Sequence, residues 1–147
     1  MGRRIIIRAD ASTRIGSGHV MRCLTLAEEL RDADVEVSFI SRAHPGNINE
    51  LIREKGFQCH ELPEMPDVES NEQNIQGSRS EYASWLGVSP ERDAMETIEA
   101  IGDRRVEWLI IDHYGLDEEW ERLLRPHAAK IMVIDDLADR RHDCDIL

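Results

Sequence analysis

Apolar positions come in short runs separated by stretches of helical periodicity. Arg4-Ile5-Ile6-Ile7-Arg8-Ala9 is a β-branched run of the kind that forms a strand buried on both faces. From about Gly18 to Arg31 the apolar residues Val20, Cys23, Leu24, Ala27 and Leu30 recur every three or four positions, which predicts a helix with one buried stripe. Val35–Ser41 reads as a second strand. Pro45-Gly46-Asn47 breaks the chain, and Ile48–Lys55 predicts a short helix closed by Gly56 as its C-terminal cap. Phe57–Leu62 reads as a third strand. Ser80–Leu86 and Pro90–Ile101 have helical patterns, the second with Ser89 as N-cap and Pro90 at its first position. Val106–Asp112 is the clearest buried strand, followed by a helix over Asp117–Leu124 and a further strand over Lys130–Asp135. Strands that alternate with helices imply βαβ units and a parallel sheet, so the expected fold is a Rossmann-like α/β domain with flanking helices.

The chain has 147 residues, enough for one domain with a real core. Residues 63–78 carry Pro63, Pro66, Gly77 and the acids Glu64, Asp67, Glu69 and Glu72 without a basic residue, the composition of a solvated surface loop. Net charge is −12, which argues against nonspecific binding to nucleic acid or to an anionic membrane surface. Residues 1–44 carry 7 basic and 6 acidic side chains, a net +1, and the rest of the chain holds the −13 that completes the total. An anionic ligand would therefore prefer the N-terminal part. No apolar run approaches the ~20 residues of a membrane-spanning helix, and the start of the chain is too charged for a signal peptide, so the cytoplasm is the expected location. Cys23, Cys59 and Cys144 form no CxxC pair, and incidental thiols are the plainer reading.

Parallel sheets place ligands beyond the carboxyl ends of their strands. Three polar clusters lie there: Asp10 with the loop Gly16-Ser17-Gly18-His19, then Asp112-His113-Tyr114-Gly115, then Asp135-Asp136. Gly16 and Gly18 permit a tight turn and close approach of a ligand to the backbone. The helix that follows offers free N–H groups and the positive end of its dipole, which disfavours a protonated ring at His19 and leaves the imidazole able to accept a proton. Arg22, one turn on, could face an anionic group. The loop is neither a Walker A motif nor the full dinucleotide fingerprint, because Met21 stands where the third glycine would be. Neighbours in Asp112-His113-Tyr114 point in opposite directions, so only some of them reach the cleft. Asp112 is read equally well as a cap, and His113 as bonded to backbone. Asp135-Asp136 with His142 and Cys144 has no complete metal-ligand spacing, and a charged turn is the simpler reading. Trp85, Trp108 and Trp120 read as core or core-edge residues.

The run Arg8-Ala9-Asp10-Ala11-Ser12-x-x-Ile15-Gly16-x-Gly18-His19-Val20-Met21-Arg22-Cys23-Leu24-Thr25-Leu26-Ala27 resembles the N-terminal signature of the PseG family. These are UDP-2,4-diacetamido-2,4,6-trideoxy-β-L-altropyranose hydrolases of pseudaminic acid biosynthesis, with the spore coat polysaccharide biosynthesis proteins (SpsG) as close relatives. Tyr82–Val88, Ile110–Leu116 and the run from Ile134 to Asp145 resemble the family as well. The resemblance implies a GT-B fold of two Rossmann-type domains, related to the glycosyltransferase MurG. Residues 1–147 would be the N-terminal domain, and the UDP-binding domain would follow Leu147. That expectation agrees with Asp145-Ile146-Leu147, which opens another strand-like run. The implied reaction is hydrolysis of the sugar–phosphate linkage without cofactor or metal, in which the residue matching the catalytic base is His19 and the residue matching an active-site tyrosine is Tyr114. The expected substrate-contacting set is Asp10, Gly16, Ser17, Gly18, Arg22, His113 and Tyr114, and the expected partners are the UDP-sugar and the second domain. Three other readings stay open from sequence: the acceptor domain of a MurG-like glycosyltransferase, a nucleotide-sugar-binding module without catalysis, and a magnesium-dependent phosphatase that uses Asp135-Asp136.

Overall fold

The computed structural model describes residues 3–64 and 85–147. Five strands, β1 (Arg3–Ala9), β2 (Val35–Arg42), β3 (Gln58–Leu62), β4 (Val106–Asp112) and β5 (Ala128–Val133), form one sheet in the order β3-β2-β1-β4-β5. Every pairing is parallel. Among the described residues four α-helices connect them: α1 (Gly18–Asp32), α2 (Asn49–Glu54), α3 (Pro90–Ile101) and α4 (Glu118–Leu124). The order 3-2-1-4-5 is that of a doubly wound α/β sheet, and its parallel strands with flanking helices are what the alternation of elements predicts. Among the described residues no helix is long and apolar enough to cross a membrane.

Strand alternation builds two cores from one sheet. Ile5, Ile7, Val37, Phe39 and Ile110 face α1 and α2 and pack on Val20, Cys23, Leu24, Ala27 and Ile52. Ile6, Ile40, Leu109, Ile111 and Ile131 face the other way, against Ala94, Ile101, Trp120 and Leu124. Helix ends follow the local chemistry. The Ser89 hydroxyl accepts from the Arg92 N–H at 3.1 Å with Pro90 in the first position, and Gly56 closes α2 at φ 92°.

Two expectations shift. Strand β5 begins at Ala128 and ends at Val133, two residues earlier than the apolar run suggests, because Val106 of β4 pairs with Ala128. Asp135 and Asp136 therefore lie beyond the strand, and Ile146 makes a parallel bridge to Met132 at the sheet edge. Of the expected helix over Ser80–Leu86, only Trp85 and Leu86 are described, in a short 3-10 stretch, and most of the acidic segment 63–78 lies outside the described residues.

Arg8 points to the α3 face and is fully buried. Its guanidinium donates to Asp10 and to Asp93, both at 2.5 Å. Asp93 also accepts from Arg42 at 2.7 Å and from the Trp120 indole N–H at 2.9 Å. Burial alone would raise the carboxyl pKa values of Asp10 and Asp93, but the surrounding cations outweigh it and hold both below the ordinary range. A carboxyl depressed in the folded state stabilises the fold above its unfolded value of about 4, and that contribution is lost as pH falls through the folded value. The urea midpoint of the chain is therefore expected to drop as pH is lowered below about 4, and a midpoint flat down to pH 2 would contradict this account. Arg8→Met leaves two buried carboxylates short of a counter-charge, and a loss of roughly 3–5 kcal/mol is expected in urea denaturation at pH 7. A loss within ~0.5 kcal/mol would show that the network is dispensable.

Candidate functional site

The register of the sheet fixes the site. Ala9, the last residue of β1, pairs with Asp112, the last of β4, so the two strands end together and their following loops share one rim. The glycine loop leaves β1 and is pinned by the Thr13 N–H bond to the Pro45 carbonyl at 3.0 Å and by the Gly16 N–H bond to the Ser12 carbonyl at 2.8 Å. Gly16 sits at φ 82°, a conformation that favours glycine. Gly46 also has φ 82°, and a Cβ there would lie 2.5 Å from the Thr13 hydroxyl, so the facing loop can approach only as glycine. Gly18 has no positive φ, and a Cβ on it would meet nothing, so the turn itself does not require that glycine. Gly16, Ser17 and Gly18 are exposed at the start of α1. No side chain caps α1 and its first turn holds no acid, whereas α2, α3 and α4 each carry acids there.

One face of α1 closes around the end of β4. His19, Arg22 and Cys23, spaced i, i+3 and i+4, all reach the Asp112 carboxylate. His19 Nδ1 lies 2.7 Å from Oδ1. Arg22 donates twice, from Nε to Oδ2 at 2.5 Å and from Nη2 to Oδ1 at 2.7 Å. The Cys23 thiol donates to Oδ2 at 3.6 Å, and burial pushes its pKa up. Asp112 is fully buried. Burial would raise its pKa, but the hydrogen bonds from Arg22 and His19 outweigh it and keep the carboxylate charged. A charged carboxylate accepts, so the His19 proton sits on Nδ1. Among the described residues nothing hydrogen-bonds Nε2, which is left to accept.

Tyr114 stands beside His19, edge to face with ring centroids 4.5 Å apart, and stacks on Trp85 at 6.0 Å. Its hydroxyl donates to Asp136, a bond that raises the phenol pKa to about 12. The third strand end thus joins the first two, as expected. Asp10, Ile15, His19, Trp85, Asp112, His113 and Tyr114 line a narrow recess at the rim.

His113 has the opposite chemistry to His19. Its Nε2 lies 2.8 Å from Asp10, and its Nδ1 accepts from the Gly115 N–H at 2.9 Å. Burial lowers its pKa, only partly offset by Asp10, so the ring is neutral with both nitrogens engaged. Asp10 accepts from Arg8, His113, His44 and the Arg42 backbone N–H. Asp10 and His113 line the floor of the recess, each with hydrogen bonds to groups within the protein. Arg22 does face an anionic group, but the group is Asp112.

From sequence, Asp112 reads equally well as a cap, and nothing links Asp136 to Tyr114. The signal available is position, a carboxylate at or just beyond a strand's carboxyl end. Asp135 turns away from the site. It lies 3.0 Å from His142 Nε2, while His142 Nδ1 lies 2.7 Å from the buried Glu121. Among the described residues no group of three or more His, Cys, Asp or Glu side chains is placed to hold a metal ion.

Against this geometry stand the known proteins. No protein-family model matches the chain. It is 32% identical over 145 residues to the UDP-2,4-diacetamido-2,4,6-trideoxy-beta-L-altropyranose hydrolase of Campylobacter jejuni, an alignment that covers 98% of this chain and 40% of that protein. It is also 26% identical over 133 residues to an uncharacterized protein of Methanocaldococcus jannaschii, across 90% of this chain and 21% of the relative. The chain thus spans less than half the length of either relative.

The two buried hydrogen-bond patterns predict opposite tautomers at the two histidines. In a long-range ¹H–¹⁵N correlation spectrum of the neutral rings, His19 is expected to carry its proton on Nδ1 and His113 on Nε2. The same tautomer at both positions would refute this assignment.

Proposed function

We propose that this chain is the base-bearing domain of a UDP-sugar hydrolase that releases UDP and free sugar from a UDP-linked 2,4-diacetamido-2,4,6-trideoxy sugar, in nonulosonic acid or surface polysaccharide biosynthesis. The observation that carries the reading is the pair His19–Asp112, in which a buried carboxylate engages Nδ1 of a histidine that lines the recess. The homologous hydrolase supplies the substrate class. A second Rossmann-type domain outside this chain, completing a GT-B fold, would hold the uridine diphosphate.

The reaction needs one proton acceptor. His19 Nε2 takes a proton from water as the water oxygen bonds to the anomeric carbon. The bond from that carbon to the diphosphate oxygen breaks, and its electron pair leaves with UDP. Asp112 then faces an imidazolium and stabilises it, as a buried aspartate does behind a catalytic histidine. The diphosphate is a good leaving group, so a protonating acid is not required. Tyr114, fixed by Asp136, stacked on Trp85 and edge to face with His19, would orient the sugar or the water. Gly16, Ser17 and Gly18, exposed and without bulk, would let the substrate approach the backbone at the start of α1.

The test is UDP release from the UDP-sugar by the protein carrying both domains, with EDTA present and no acceptor. Release is expected, and His19→Ala is expected to lower it by about 10²-fold or more with an unchanged circular dichroism spectrum. Wild-type rates in that variant would remove the base assignment. Turnover only on addition of a sugar acceptor would make the chain part of a transferase instead.

A further inference from the structure

Arg22 has one guanidinium and two carboxylates to serve. Nε and Nη2 hold Asp112 at 2.5 and 2.7 Å, Nη2 passes 3.5 Å from His19 Nδ1, and Nη1 reaches toward Asp136 at 4.0 Å. We infer that Arg22 is a positioning residue that sets the proton affinity of His19 by dividing its charge between Asp112 and Asp136, and that it is not a ligand for substrate phosphate.

The electrostatic argument starts from Asp112. A fully charged carboxylate 2.7 Å from an imidazole nitrogen, taken alone, favours the imidazolium. A histidine held as imidazolium at neutral pH cannot accept a proton from water. Arg22 cancels much of that charge through two parallel hydrogen bonds, the strongest geometry a guanidinium offers a carboxylate. The carboxylate then keeps its geometric role of fixing the proton on Nδ1 and loses much of its pull on a second proton.

The other groups around His19 do not replace this function. On α1, Cys23 is a protonated thiol bonded to the same carboxylate. After β4, Tyr114 is an uncharged phenol that donates to Asp136 and also lies against Arg22. On the floor, Asp10 is paired with Arg8, and His113 is neutral. Asp136 is the exposed member, its side chain 63% accessible, and it lies 4.0 Å from Nη1, the guanidinium nitrogen that Asp112 does not engage. The two ends of Arg22 therefore act on His19 with opposite sign.

That opposition gives a test in this chain alone, read by NMR titration of the His19 ring. Arg22→Met is expected to raise the His19 midpoint by about one pH unit, a tenfold gain in proton affinity, with Arg22→Lys between it and wild type. Asp136→Asn, a change at an exposed position, removes a negative charge from the surroundings of His19 and leaves the Arg22 charge to Asp112 alone, so it is expected to lower the midpoint. If Arg22→Met does not fold, the Arg22→Lys and Asp136→Asn shifts carry the test. Unchanged midpoints in the folded variants would overturn the inference.

Its bearing on catalysis rests on His19 as the base. In the two-domain protein the acid limb of the kcat/KM profile should move with the same midpoints, upward for Arg22→Lys and downward for Asp136→Asn. A raised KM with an unmoved profile would make Arg22 a phosphate ligand and overturn the inference. A wild-type protein that releases no UDP would sink the hydrolase reading, and the ring titration would still decide the role of Arg22.

Discussion

Beneath the rim, one buried guanidinium ties together the parts that carry the site. Arg8 leaves β1 toward α3 and meets Asp93 there, while its other edge meets Asp10. Asp10 in turn receives His113 from the end of β4 and His44 from the loop after β2. Asp93 receives Arg42 from β2 and Trp120 from α4. Such ion pairs are poor sources of net stability, because desolvation offsets most of the attraction. What they supply is geometry. Each partner would be left charged or unpaired if it moved, so the strand ends and the first turns of α3 and α4 have one low-energy arrangement.

That rigidity is what lets two histidines on the same recess do different jobs. His113 spends both nitrogens inside the protein and becomes part of the frame. His19 spends one nitrogen on Asp112 and keeps the other for the recess. The distinction is set by which strand-end carboxylate each ring finds. Asp10 lies among cations within the core, whereas Asp112 lies at the foot of an uncapped helix.

Legibility from sequence follows the range of the forces involved. The strands and helices are visible because apolar periodicity is local, and the common rim is visible because parallel strands of one sheet deliver their loops to one side. His19 is visible because a glycine loop and a helix start flank it. The partners are not. Nothing local distinguishes a capping aspartate from one that accepts from His19, Arg22 and Cys23, because the deciding contacts span about ninety residues of sequence. Arg8 and Trp120 read as a strand residue and a core aromatic, and they are, but their polar atoms meet Asp93, which reads as an ordinary first-turn acid of α3. The late start expected for β5 has the same root, since alanines carry little strand signal and Ala128 enters the sheet through its pairing with Val106.

The charge at the rim also constrains what the rest of the protein has to supply. Asp112 and Asp136 bring two negative charges and Arg22 brings one positive, already engaged. A diphosphate placed beside these side chains would meet repulsion from the surplus carboxylate. A sugar ring that develops positive character as its leaving group departs would not, and the same surplus would favour it. On the proposed reading, this domain therefore serves the electron-poor end of the reaction, the anomeric carbon and the attacking water. The negative charge that departs with UDP must find its counter-charges at the start of α1 or on the second domain. On that reading, a cleft between two domains would let the two ends of the breaking bond have opposite electrostatic surroundings.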